Sequence, residues 1–240
     1  MPPSHTDAII CALDTTDIAR ARTLCGELKG HVGAIKLGLE FFTANGAEGV
    51  LHMADQAHVP IFLDLKFHDI PNTVAGAIRA AAGIDAFMMT VHAAGGHAML
   101  KAAVEASMEV AAITGKERPY IIGVTVLTSL DEHDLDTLGI GARVDEHVKR
   151  LAELAQTAGL DGVVCSPHEI ADLRQQCGDN FMLVVPGIRP DGAANGDQKR
   201  VMSPRQAIEL GADYLVIGRP ITGAESPAQA AHAIAESLGS

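Results

Sequence analysis

The sequence has no tryptophan, two tyrosines and six phenylalanines. With aromatic residues at only 3 %, it lacks the stacking platform used to bind single-stranded nucleic acid. It is short of positive charge: 18 Lys and Arg stand against 30 Asp and Glu, a formal net charge of −12 with His neutral. Nonspecific nucleic-acid binding needs a basic face, and docking on anionic membranes needs a basic patch, so neither partner is expected. No apolar run approaches the ~18 residues that span a bilayer, and Met1–Asp7 does not resemble a signal peptide. A soluble cytoplasmic protein is expected. The four cysteines, Cys11, Cys25, Cys165 and Cys177, include no CxxC pair and read as reduced, buried thiols. There is no HExxH and no Cys/His cluster of zinc spacing, so metal catalysis is not expected.

What the sequence does have is apolar material, 48 % of residues against 20 % charged, enough for a sizeable core. Eight short apolar runs recur: 8–13, 34–42, 59–67, 86–92, 120–127, 162–165, 181–185 and 214–217. They mostly lack period-two alternation, as strands buried on both faces do. Amphipathic segments lie between them, at 16–29, 73–82, 96–113, 144–158, 167–176 and 204–210. Pro167, Pro204 and Pro227 fall where helices would open, and Gly159 and Gly211 where helices would end. Eight β/α units predict a single-domain α/β fold, a (β/α)8 TIM barrel over residues 1–240, with 1–6 a flexible tail. A doubly wound open sheet competes poorly, because no GxGxxG follows the first strand. One polar, Gly-rich loop, Arg189–Arg200, is long for a strand–helix connection.

Barrel active sites lie at the C-terminal ends of the strands. Asp14 ends the first run, Lys36 lies in the second, and Asp64 and Lys66 lie in the third with Asp69 just after. A lone charge in an apolar strand costs several kcal/mol, so such groups are paired or functional. Asp64 and Lys66, two apart, share a face, opposite Leu63, Leu65 and Phe67. Lys36 can reach that face, giving a row of alternating charge: Lys36, Asp64, Lys66, Asp69. A structural salt-bridge cluster plugging the mouth is the other reading of this row. Arg189, Gly218 and Arg219 follow strands seven and eight, the usual phosphate corner, and Gln198 sits in the long loop that could close over a phosphate. His68 and His92 stand at strand ends.

The stretch LDLKFHDIPNT from Leu63 to Thr73 resembles the signature of the orotidine 5′-phosphate decarboxylase family. Asp14, Lys36, Thr128, the segment Pro186–Arg189, Asp197–Arg200 and Val216–Ile221 fall in that family's order, so the resemblance covers nearly the whole chain. The DxKxxD core alone is shared with sugar-phosphate decarboxylases and hexulose-phosphate synthases, which use Mg2+. KFHDIPNT is much more specific. The resemblance implies a homodimer that needs neither metal nor organic cofactor and turns orotidine 5′-monophosphate into UMP and CO2, the last step of UMP biosynthesis. It implies catalytic roles for Lys36, Asp64, Lys66 and Asp69. It also implies that Asp69, Ile70 and Thr73 reach the neighbouring subunit's site. Asp14 and Lys36 would hold ribose hydroxyls, Thr128 the pyrimidine edge, and Gln198, Gly218 and Arg219 the phosphate. Pro186 and Arg189 match substrate-contact positions. Lys66, flanked by Asp64 and Asp69, would stay an ammonium, counter negative charge at C6 and deliver the proton. Two further readings are a Schiff-base aldolase using Lys36 or Lys66, and a phosphate-ligand binding barrel without turnover. Adjacent carboxylates raise a lysine's pKa, the wrong direction for a nucleophile.

Overall fold

The computed structural model describes residues 5–57, 59–190 and 202–239. Eight parallel strands close into a barrel in sequence order, with β1 paired to both β2 and β8. The strands are β1 (Ile9–Ala12), β2 (Ala34–Gly38), β3 (Ile61–Phe67), β4 (Met88–His92), β5 (Tyr120–Val124), β6 (Gly162–Val164), β7 (Met182–Pro186) and β8 (Tyr214–Ile217). The helices are α1 (Ile18–Leu28), α2 (Leu39–Ala57), α3 (Pro71–Ala82), α4 (His97–Thr114), α5 (Glu132–Thr137), α6 (Val144–Thr157), α7 (Ile170–Cys177), α8 (Pro204–Glu209), α9 (Arg219–Thr222) and α10 (Pro227–Leu238).

The near-continuous apolar runs are explained by two separate cores. One set of alternating strand residues, including Ile10, Ala34, Phe62, Met88, Ile122, Val184 and Val216, fills the barrel interior. The other set, including Ile9, Cys11, Ile35, Leu37, Leu63, Met89, Val163 and Leu183, packs outward against the helices. All four cysteines are free and buried. Burial pushes the thiols of Cys11 and Cys25 up to about 12, so they behave as small apolar groups.

Some boundaries differ from the sequence reading. The segment 16–29 becomes helical only at Ile18, because Asp17 caps it: Asp17 Oδ1 accepts from the backbone of Ala19 and Arg20. The run 34–42 divides, with the strand ending at Gly38 and α2 starting at Leu39. Helix α2 is kinked at Gly46, whose φ of 63° only glycine adopts easily. Helix α5 has no clear apolar stripe; Asp131 and Asp134 form the capping box that starts it. Of the expected tail 1–6, residues 5 and 6 lie in a turn where Thr6 accepts from Ile9 N, and 1–4 lie outside the described residues. Most of the long loop (191–201) also lies outside them. Its flanks are tied together by the bridge between Ile188 and Met202.

Candidate active site

Inward-facing side chains are apolar through the lower barrel and turn polar at the C-terminal rim. The register sets this: Gly38 lies beside Asp64, and Lys36 beside Phe62. The small Gly38 leaves room for the Lys36 ammonium, since a Cβ on Gly38 would lie 3.0 Å from Lys36 Nζ. Lys36 Nζ stands 3.5 Å from Asp14 Oδ1 and 3.4 Å from Asp64 Oδ2. Lys66 Nζ donates to both oxygens of Asp64 at 2.9 Å. The row Asp14–Lys36–Asp64–Lys66 is therefore a continuous chain of alternating charge.

Strand β3 is irregular where it carries these charges. Leu63 pairs with Met89 and Phe67 with Val91, so four steps along β3 match two along β4. The extra residues bulge, and Lys66 takes a φ of 51°, left-handed for a residue with a long side chain. Its backbone N–H donates to Thr90 Oγ1 at 2.8 Å, and that hydroxyl donates to Asp64 Oδ1 at 2.9 Å. Thr90 is a participant that the sequence reading missed. A lone hydroxyl among Met88, Met89 and Val91 was the available signal.

Burial by itself would raise the Asp64 pKa. Lys36 and Lys66, with the hydrogen bonds from Lys66 and Thr90, outweigh burial and hold the carboxyl below its usual range. His92 is shifted down by burial, then by His68 and Lys66. Its ring stacks on His68 at 5.1 Å, and its buried Nδ1 has no hydrogen-bond partner among the described residues. A cavity of about 240 Å³ opens above the charged row. Lys36, Asp64 and Lys66 line one side; Val124, Val126, Leu127, Val164, Val184 and Val216 make an apolar floor and wall, with Thr128 and Pro186 at its edge. Cys165 also lines it, but burial keeps that thiol protonated, unsuited to nucleophilic attack. A larger hollow of about 880 Å³ lies by α8 and α10. Among the described residues, its charged lining residues, Arg205 and Glu209, pair with each other.

Of the remaining expected residues, Asp69, Ile70 and Thr73 lie on the exposed turn into α3. Asp69 is exposed, and its Oδ1 accepts from the backbone of Ile70 at 2.6 Å rather than facing Lys66 within the chain. Ile70 is 67 % exposed, and Thr73 is exposed in the first turn of α3. Arg189, after β7, is half-buried and donates to the Ile188 carbonyl. Gly218 and Arg219 stand at the end of β8, opposite Asp14: a Cβ on Gly218 would lie 3.8 Å from Asp14 Oδ2. Gln198 lies outside the described residues.

A sequence profile of the orotidine 5′-phosphate decarboxylase / HUMPS family matches residues 7–234. The chain belongs to that family. The family's curated relatives include orotidine 5′-phosphate decarboxylase of Rhodospirillum rubrum, 53 % identical over 227 residues, covering 95 % of this chain and 92 % of the relative. The same-named protein of Moorella thermoacetica is 53 % identical over 233 residues, covering 97 % and 92 %. Among solved structures, orotidine 5′-phosphate decarboxylase from Lactobacillus acidophilus superposes with a TM-score of 0.86 at 34 % identity, over the full length of both chains. Within the family, these relatives favour the orotidine 5′-phosphate decarboxylases over the Mg2+-dependent sugar-phosphate enzymes.

Proposed function

We propose that this chain decarboxylates orotidine 5′-monophosphate to UMP and CO2, in the cavity above the charged row. The observation that carries the chemistry is the Lys66 ammonium, held 2.9 Å from Asp64 at the mouth of an apolar-walled cavity. The bond from C6 to the carboxylate breaks, its electron pair stays in an sp² orbital on C6, and CO2 leaves. No conjugated sink receives that pair, so a placed positive charge must stabilise it. Lys66 supplies the charge, then passes a proton from Nζ to C6, and regains one from water. Asp64 lies beside the departing carboxylate and disfavours its anionic ground state. Lys36 fixes Asp64 from the other side and, with Asp14, holds ribose hydroxyls.

Thr128 meets the pyrimidine edge. Pro186, Arg189, Gln198, Gly218 and Arg219 take the remaining contacts, with Gln198, Gly218 and Arg219 on the phosphate. That phosphate grip lies far from C6, so its binding energy serves to order and close the site. The exposed Asp69, Ile70 and Thr73 serve the site of a second subunit in a homodimer. Free, buried thiols fit a reducing compartment such as the cytoplasm.

One observation weighs against the Mg2+-dependent reading. The Lys36 ammonium stands between Asp14 and Asp64, within 3.5 Å of each, where two carboxylates would otherwise share a divalent cation. Absorbance on mixing purified protein with orotidine 5′-monophosphate and excess EDTA tests the proposal. Loss of the orotidine absorbance and formation of UMP are expected. No turnover, or turnover abolished by the chelator and restored by Mg2+, overturns it.

A further inference from the structure

We infer that Thr90 is a positioning residue for this reaction: its one hydroxyl holds both the Asp64 carboxylate and the Lys66 backbone, and so sets where the Lys66 ammonium stands. The inference rests on the decarboxylase reading. It starts from the polarity of two hydrogen bonds. The Lys66 N–H can only donate, so the Thr90 oxygen accepts from it, at 2.8 Å. The hydroxyl has a single proton left to give, and the acceptor in reach is Asp64 Oδ1 at 2.9 Å. Both partners, on β3, are thus fixed by one atom of the adjacent strand β4.

The bulge in β3 explains why this atom is needed. Between Leu63 and Phe67 the ladder to β4 is interrupted, so the Lys66 N–H has lost the carbonyl it would meet in a regular parallel pair. A buried N–H without an acceptor is costly, and a left-handed lysine adds strain. The Thr90 side chain supplies the missing acceptor and retains the strained turn. Thr90 is fully buried, and its β-branched side chain restricts rotation about χ1, so the oxygen cannot swing away. A hydroxyl in this apolar layer would be a liability with no partner; here it has two.

Asp64 faces the charges of Lys36 on β2, with Asp14 behind it, and of Lys66 on its own strand, while on β4 His92 interacts with Lys66 and His68. Removing the Thr90 hydroxyl leaves these charges in place but frees the Lys66 backbone to relax. It also takes one hydrogen bond from the ionised form of Asp64.

Thr90→Val, which keeps the shape and loses the hydroxyl, is compared with Thr90→Ser, which keeps the hydroxyl. For T90V, kcat is expected to fall roughly ten- to a hundredfold, the scale of one hydrogen bond to a charged group. KM and the affinity for UMP should hold, because phosphate and ribose are gripped elsewhere. The acid limb of the pH–rate profile should move to higher pH. T90S should recover most of the lost kcat. Wild-type kcat in T90V, an unmoved acid limb, or T90S as impaired as T90V would each overturn the inference. UMP binding reports whether the site has folded; if T90V does not fold, Thr90→Ala carries the same test. If the wild-type protein shows no turnover at all, the decarboxylase reading fails separately. The Asp64 carboxyl titration, followed by 13C NMR in wild type and T90V, then decides the part played by Thr90: a raised value supports it, and identical titrations overturn it.

Discussion

Lys66 combines a strained backbone with an ammonium that touches Asp64 through both carboxylate oxygens. Strain and buried charge each cost free energy, and their coincidence at one residue is what the role proposed for Lys66 calls for. Asp64 has a second cation, Lys36, at 3.4 Å, so it is not stranded when Lys66 is removed. Lys66→Ala should therefore fold, with a thermal midpoint close to wild type, while turnover drops by many powers of ten. Turnover and thermal melts on the same preparation check this. Near-native activity in a preparation free of wild-type enzyme would remove Lys66 from the mechanism.

Among the elements, two strand entries repeat one construction. A helix ends at a glycine with positive φ, Gly159 at 88° and Gly211 at 107°, and an aspartate opens the following strand. Asp161 Oδ2 accepts from Ile121 N at 2.7 Å and pairs with Arg118. Asp213 Oδ2 accepts from Leu183 N at 2.7 Å and from Arg174 at the same distance. In return, the backbone N–H of each aspartate donates to the carbonyl of that same residue, Ile121 or Leu183. These staples fasten the barrel at the end opposite the charged row. Just inside, β6 opens at Gly162, where a Cβ would run into the Met182 carbonyl. Asp161→Ala removes the strand-entry acceptor and takes from Arg118 its carboxylate, leaving it Ser107 Oγ and the Pro119 carbonyl. It should cost about 1–3 kcal/mol in urea unfolding, yet leave kcat unchanged because the site is at the other rim. A stability equal to wild type would show the staple to be idle.

At the scale of the whole molecule, the buried thiols give the barrel an alkaline limit. An unfolded thiol ionises near 9.0, whereas Cys11 and Cys25 hold their protons up to about 12. A folded-state pKa raised in this way stabilises fully below the unfolded value and is lost as pH rises through the folded one. Urea unfolding should show this contribution intact below pH 9 and declining towards pH 12. A Cys11→Ala/Cys25→Ala variant should be less stable at neutral pH and lose stability less steeply above pH 9. Equal slopes would contradict the assignment. The exposed Asp69, Ile70 and Thr73 suit a site shared between two chains. Mixing inactive Lys66→Ala subunits with Asp69→Asn subunits should then regenerate activity, because one hybrid site receives both native residues. A mixture as inactive as its components, with exchange verified, would argue for self-contained sites.

The order of the strands, the barrel class and the placing of Lys36, Asp64 and Lys66 near one rim were legible in the sequence. Each follows from local rules: apolar runs of strand length, proline and glycine at helix ends, and a period of two that puts Asp64 and Lys66 on one face. Other features required the closed barrel. Helix α2 was hidden because the run 34–42 stays apolar across the strand–helix junction, and nothing local says where strand becomes helix. The Lys66 bulge and the hydroxyl of Thr90 belong to a mismatch in length between β3 and β4, which exists only once the strands are paired. Asp69 shares a motif with Asp64 and Lys66, yet the turn into α3 points its carboxylate at the backbone N–H of Ile70. Composition and pattern could say which residues carry charge and on which strand; how many steps of one strand face the next is a property of the assembled sheet, and it is there that the ammonium finds its place.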